Sequence, residues 1–209
     1  MPNLRELAVS DDPETWRTAG FTVDDDGVCT IGTVRLRIAP TEHRKGVHAW
    51  AFGGDVGGDV DGVPTAVVDP GDVPEPVEHP NGATLIDHVV MATPDLDRTI
   101  AALEGAGLAV RRTRDTDTYG APMRQVFFRA GEVIIELIGP QEKQGDGRSG
   151  FFGIAVNVRD LDGLKEQLGD LIGTPKDAVQ PGRRITTLHM KEQGLTTAIA
   201  FMSEGDAEY

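Results

Sequence analysis

Two polar side chains interrupt otherwise apolar runs. His88 lies within Leu85-Ile86-Asp87-His88-Val89-Val90-Met91. Glu136, 48 residues further on, lies within Val133-Ile134-Ile135-Glu136-Leu137-Ile138. Short apolar runs of this kind read as buried strands. A carboxylate in such a setting must be paired or bound to a cation. An imidazole and a carboxylate from two strands make half of a divalent-metal site, with open positions suited to zinc, iron, manganese or nickel. Without a metal, Glu136 is the candidate catalytic general base. The plainer alternatives are a His88 that hydrogen-bonds in a cleft wall or touches a ligand, and a Glu136 paired with an arginine, for which Arg124 and Arg184 are candidates.

Elements that could carry these residues recur along the chain. Ile86–Asp97 aligns without gaps on Phe151–Asp162, and in both a strand is followed by an acidic turn and an amphipathic helix. Asp95 and Asp160 stand where a helix N-cap is needed. Leu96, Ile100 and Leu103 share one helical face, as do Leu161, Leu164 and Leu168. A third copy begins at Leu4, where Asp11-Asp12-Pro13 opens a helix that Gly20 ends. Short strands follow, the last of them at Val47–Phe52. The sequence therefore predicts an α+β fold of tandem βαβββ modules. Residues 83–140 and 149–203 form two modules paired around a cleft. Residues 1–53 form a shorter additional module, and the Gly-, Asp- and Pro-rich stretch 54–82 is a surface connection with one short strand near Thr65–Val68.

Other ligand-binding candidates follow from loop placement. Tyr119 and Arg124 flank a Gly-Ala-Pro turn before a strand, where cleft-lining residues often lie. Arg183 and Arg184 follow the Pro181-Gly182 turn and could clamp a carboxylate or phosphate. Cys29, the single cysteine, reads as a small packed residue and permits no intramolecular disulfide. Phe127, Phe128, Phe151, Phe152, Trp50 and Phe201 read as core.

Composition sets limits. A net charge of −14 over 209 residues disfavours nucleic acid and anionic membrane as partners. No apolar run approaches the roughly 18 residues of a membrane span. The N-terminus lacks the basic and apolar regions of a signal peptide, so the expected location is the cytoplasm. Phosphate loops, nucleophile elbows, paired Cys-x-x-Cys and His-Glu-x-x-His motifs are all missing.

The tandem modules resemble the vicinal oxygen chelate superfamily, which includes glyoxalase I, bleomycin-resistance proteins and extradiol dioxygenases. The resemblance is carried by Ile86-Asp87-His88-Val89-Val90, Pro94-Asp95-Leu96-Asp97 and Ile134-Ile135-Glu136-Leu137. It covers residues 83–203 well and 4–53 more weakly. The chain also resembles bacterial glyoxalase-like proteins with a His-Pro-Asn-Gly linker, here His79-Pro80-Asn81-Gly82. The resemblance implies two facing modules, each supplying a metal ligand from its first and last strands, with the metal holding two oxygens of a small substrate. His88 and Glu136 then match one pair of ligands. The other pair departs from the pattern: Gly153 aligns with His88 and Ala200 with Glu136. Two ligands fall short of the three usual for a catalytic metal. No bound metal is therefore expected unless Glu6 and His48 of the N-terminal module complete the site, for example across a homodimer. The implied function is binding of a small oxygen-rich molecule in the cleft, as a lyase, isomerase or dioxygenase-type enzyme. The alternative is a non-catalytic, resistance-type binding protein with a degenerate metal site.

Overall fold

The computed structural model describes residues 2–54, 56, 58–117 and 120–205. The chain forms two sheets. The second carries the predicted site. It is built from β7 (Ala83–Ala92), α2 (Leu96–Gly105), β8 (Val110–Thr116), β9 (Met123–Ala130), β10 (Val133–Pro140), β11 (Gly150–Val158), α3 (Leu161–Leu168), β12 (Lys176–Asp177), β13 (Arg184–Thr187) and β14 (Ala198–Ser203). Its eight strands run in the order β12-β13-β14-β11-β7-β10-β9-β8. In each module the first strand pairs parallel with the last, β7 with β10 and β11 with β14. The two modules join through antiparallel β7 and β11. The gapless internal alignment holds at the helix starts. Asp95 accepts from Arg98 N, and Asp160 accepts from Asp162 N and Gly163 N. Each cap satisfies amides that would otherwise lack partners. Gly107, at φ 83°, turns the chain out of α2 in a conformation that suits glycine.

The first sheet comprises β1 (Asn3–Ser10), α1 (Pro13–Thr18), β2 (Val28–Ile31), β3 (Val34–Ile38), β4 (Gly46–Gly53), β5 (Gly58–Val60) and β6 (Val63–Val68), in the order β2-β3-β1-β4-β6-β5. Its grammar repeats that of the second sheet: β1 is parallel to β3, β4 is parallel to β6, and β1 meets β4 antiparallel. Strand β4 is thus the first strand of a second, helix-less unit, rather than the closing strand of the N-terminal module expected from sequence. The presumed surface connection contains the rest of that unit. Its β5–β6 turn, Asp61-Gly62, holds positive φ at both residues. Only the β6 part of this hairpin has an apolar, β-branched run, so the remainder resembles a loop.

One hydrophobic cluster joins the two sheets. Phe21 of the first half stacks on Phe201 with ring centroids 5.9 Å apart, and Trp50 meets Phe151 edge-on at 5.1 Å. Trp16, Trp50, Phe52, Phe128 and Phe201 are fully buried, each worth roughly 1.5–3 kcal/mol of burial. Cys29 lies in this core, and burial pushes its thiol up to about 12. The His-Pro-Asn-Gly stretch splices the halves together. His79 accepts from Thr22 N and faces Thr30 O, while Asn81 binds Ala19 O and Ala83 N. Phe152 departs from expectation: it is 65% exposed, because the register of β11 against β7 skips it between Phe151 and Gly153.

Phe151 and Phe201 point toward the first sheet. Ile134, Ile138, Ala155 and Met202, which alternate with core residues, are also buried yet stand outside the main cluster. Burial of these side chains on the face away from the main cluster fits a twisted sheet that curls into a trough there. Among the described residues, no helix is long and apolar enough to cross a membrane.

Candidate functional site

Strand registers lay out the trough in rows. One row runs Arg112, Phe127, Glu136, Val90, Gly153, Ala198 from β8 to β14. The neighbouring row runs Arg129, Ile134, His88, Ala155, Ala200, Thr187. His88 and Glu136 therefore share a face on adjacent strands. The polar groups cluster at β7, β10 and β9, and small residues floor the β11–β14 side.

A bulge shapes the cluster. His88 pairs with Ala155 and Ile86 with Val156, so Asp87 is the extra residue on β7. The bulge turns Asp87 toward its neighbour, and His88 Nδ1 lies 2.8 Å from Asp87 Oδ2. Asp87 Oδ1 accepts from Arg183 Nη1 at 2.7 Å. Arg183 also donates to Asn157 Oδ1 and, at 3.0 Å, to Ser203 O. Burial by itself would push the Asp87 carboxyl up, but hydrogen bonds and charge from His88 and Arg183 together outweigh it and hold it at about 2. An ionised carboxylate only accepts, so His88 Nδ1 must carry its hydrogen. That leaves Nε2 for the trough, 3.6 Å from Glu136 Oε2. Glu136 Oε1 accepts from Gln125 Nε2 at 2.6 Å.

The structure joins His88 to Glu136 and separates the other candidates. Arg124 pairs with Asp115 at 2.7 Å, and Arg184 pairs with Asp162 at 2.8 Å, both at the surface. The arginine beside the pair is Arg183, and its target is the protein's own Asp87. Tyr119 lies outside the described residues. Glu6 pairs with Arg37 in the first sheet, and the His48 ring faces Gly46 O there. Asp87 and Gln125 were not singled out from sequence, and Arg183 was read there as a clamp for a ligand's carboxylate or phosphate. The one available signal was Asp87, a second polar residue beside His88 in an apolar strand.

The donor set does not fit the metal centre that the fold implies. The 3.6 Å spacing of His88 Nε2 and Glu136 Oε2 could be spanned by one ion at about 2.0–2.2 Å from each, with Asp87 orienting the imidazole from behind. Yet Gly153, Ala155, Ala198 and Ala200 bring no donor from the facing module. A Cβ at position 153 would lie 2.9 Å from Ala198 Cβ and press into Ala198 O, so that position cannot hold a ligand without moving a strand. Among the described residues, no three His, Cys, Asp or Glu side chains could hold a metal.

Comparisons with known proteins agree with this architecture. Residues 87–187 match the glyoxalase/bleomycin resistance protein/dioxygenase superfamily. The match spans just under half of the chain and accords with the resemblance to the vicinal oxygen chelate group. Among solved structures, a variant of 4-hydroxymandelate synthase from Streptomyces coelicolor is similar over 99% of this chain and 94% of its own, with TM-score 0.68 and 16% identity. A halotolerant catechol dioxygenase is similar over 97% of this chain and 87% of its own, with TM-score 0.60 and 14% identity. Methylmalonyl-CoA epimerase from Mycobacterium tuberculosis covers 59% of this chain and 90% of its own, at TM-score 0.48 and 22% identity. No curated protein matches the chain. At these identities the first two likenesses establish the fold alone, and they extend over both sheets.

Proposed function

We propose that the trough of the second sheet binds a small carbonyl compound and that Glu136 and His88 move a proton on it. The single observation that carries this reading is the facing of His88 Nε2 and Glu136 Oε2, with Asp87 committed to the other ring nitrogen. Asp87, Arg183, His88 with one extra proton and Glu136 sum to zero charge, a balance that suits a buried cluster. In that state His88 Nε2–H donates to the carbonyl oxygen. Glu136 then takes the proton from the adjoining carbon, and Gln125 steadies its far oxygen. The negative charge that develops on the carbonyl oxygen meets the imidazolium. Ile134, Ile138 and Phe127 line the surroundings and limit water. The reaction class is isomerase- or lyase-type proton transfer, and no step passes through a metal.

A second reading, binding without turnover, is favoured by the bare β11–β14 side of the trough. One experiment separates the two. A panel of 2-oxo acids, acyl thioesters and hydroxyketones is screened by thermal shift and by deuterium wash-in from D2O. Wash-in catalysed by the wild type and lost in Glu136→Gln supports the enzyme. Thermal shifts abolished by His88→Ala, without wash-in, support the binder. Shifts that survive both substitutions place the ligand elsewhere and sink both readings.

A further inference from the structure

The first sheet carries a charge-inverted counterpart of the His88–Glu136 pair. Leu4-Arg5-Glu6 on β1 is registered as Ile86-Asp87-His88 is on β7: Leu4 pairs with Phe52, Glu6 pairs with Ala51, and Arg5 is the extra residue of a bulge. Glu6 thus stands where His88 stands. Two residues on, Ala8 pairs with Arg37 as Val90 pairs with Glu136, so Arg37 stands where Glu136 stands. Arg37 Nε and Glu6 Oε2 lie 2.7 Å apart. Cys29, Leu36, Leu7 and Trp50 point into the core. The residues alternating with them, Thr30, Arg35, Arg37, Glu6 and Ala51, therefore share the opposite face. A strap of residues 69–77 crosses this face after β6. Its Pro70, Pro74 and Pro76 have no N–H with which to join a sheet. Arg5 Cγ and Pro70 Cα both lie within 3.4 Å of where a Cβ on Gly53 would be, so Arg5 sits beside the strap. Asp72 reaches down from the strap, and its two oxygens accept from Arg35 Nη2 and Nη1 at 2.6 and 2.8 Å. Arginine holds any carboxylate or phosphate in this two-pronged way. The hydrogen bonds and charge of Arg35, with the charges of Arg37 and Arg5, hold the Asp72 carboxyl below its ordinary range.

We infer that this face is a second binding site, that Arg35 and Arg5 take the phosphate dianion of a small phosphomonoester there, and that Asp72 fills the place of that anion until the strap is displaced. Nothing in this depends on how His88 and Glu136 act. Three guanidinium groups meet two carboxylates, Glu6 and Asp72, so the strapped face keeps one positive charge unbalanced in a chain of net charge −14. With Asp72 lifted away, three arginines against Glu6 leave two positive charges, the complement of a phosphate dianion. Thr30, opposite Arg35 in the register, adds a hydroxyl to the same row. Asp72 is half-exposed and Arg37 is exposed, so solvent reaches the face beside the strap. An exposed ion pair holds weakly against competition, and a ligand with two charges can displace it. The planar guanidinium fork accepts two phosphate oxygens as readily as the two of Asp72.

Methyl phosphate titrated into the nitrogen-15-labelled full chain tests the site at pH 7, where a phosphomonoester is largely dianionic. Dimethyl phosphate, a monoanion, and sodium chloride serve as controls at equal ionic strength. Backbone amide signals of Gly71, Asp72 and Val73 report the strap, and the Arg35 Nε–H signal reports the face. Methyl phosphate should shift both sets saturably in wild-type protein, a readout that needs no variant to fold. Asp72→Asn should tighten this binding by about tenfold or more, because apparent affinity rises as the competent state is freed. Glu75→Gln removes a charge from the same strap but not the stand-in anion, and should change affinity by no more than about twofold. Arg35→Gln should lose saturable binding. Shifts that do not saturate, or that chloride reproduces, would overturn the site. Saturable binding that Asp72→Asn tightens no more than Glu75→Gln does would overturn Asp72 as the stand-in. Equal affinity for dimethyl phosphate would overturn the assignment to a phosphomonoester.

Discussion

Asp87 and His88, adjacent in sequence, both turn into the same cluster because β7 bulges at Asp87, and the 2.8 Å bond between them decides which imidazole nitrogen meets Glu136. A regular strand would send neighbouring side chains to opposite faces. The bulge brings a sequential pair into one hydrogen-bonded cluster, and Arg183 on the neighbouring module anchors it.

The Asp87–Arg183 pair is buried on both sides. Removing one partner strands the other charge. Asp87→Ala and Arg183→Met are each expected to lose about 3 kcal/mol of stability in urea unfolding. The double variant should lose clearly less than the sum. Additive losses would show that the two charges do not support each other.

Acid should act through the same carboxylate. The Asp87 value is depressed to about 2 in the folded protein, against about 3.9 unfolded. Its stabilisation is therefore complete above about pH 4 and is lost as pH falls from there toward 2. The urea midpoint of the wild type should drop across that window, and that of Asp87→Asn should drop less. Parallel curves for the two proteins would contradict the assignment.

His79 predicts a second, separate window. Its ring accepts from Thr22 N, so the other nitrogen must donate to Thr30 O, and burial lowers its pKa. A lowered folded value means that protonation favours the unfolded chain. Stability should fall as pH drops below about 6.5. His79→Gln should be less stable at neutral pH and should lack this fall. A wild-type midpoint that stays level between pH 7 and 5 would argue against a neutral, buried His79.

Gly153 carries a prediction about the vacant half of the family's metal site. Gly153→Ala should cost about 1–3 kcal/mol, because the methyl presses on Ala198. Gly153→His should fail to create a tight zinc site by calorimetry. Full stability in the alanine variant would show that the two strands separate easily, and tight zinc binding by the histidine variant would show that the second half-site is recoverable.

Much of the second sheet was legible from sequence because its signals are local. Asp95 and Asp160 mark equivalent helix starts, and the apolar runs around His88 and Glu136 mark equivalent strands. The first sheet was harder. The hairpin around Asp61-Gly62 is poor in apolar residues, and whether β4 pairs parallel or antiparallel with β1 leaves no mark on its own residues. At the site, His88 and Glu136 stood out as polar residues in apolar strands. Gln125 did not, because its strand also carries Arg124 and Arg129, and its role depends on lying diagonally from Glu136 across two strands. Arg183 and Arg184 are adjacent in sequence, and only the pairing of β13 with the end of β14 decides that the first is buried against Asp87 and the second lies at the surface with Asp162.

The central claim is that Glu136, facing His88, takes a proton from a bound carbonyl compound. Deuterium wash-in at the carbon beside the carbonyl, compared between wild type and Glu136→Gln under identical conditions, tests it most directly. A loss of about a hundredfold or more is expected, the scale of a general base removed, with the variant's melting temperature unchanged or raised. A Glu136→Gln protein that labels the same compound as fast as wild type would contradict the claim.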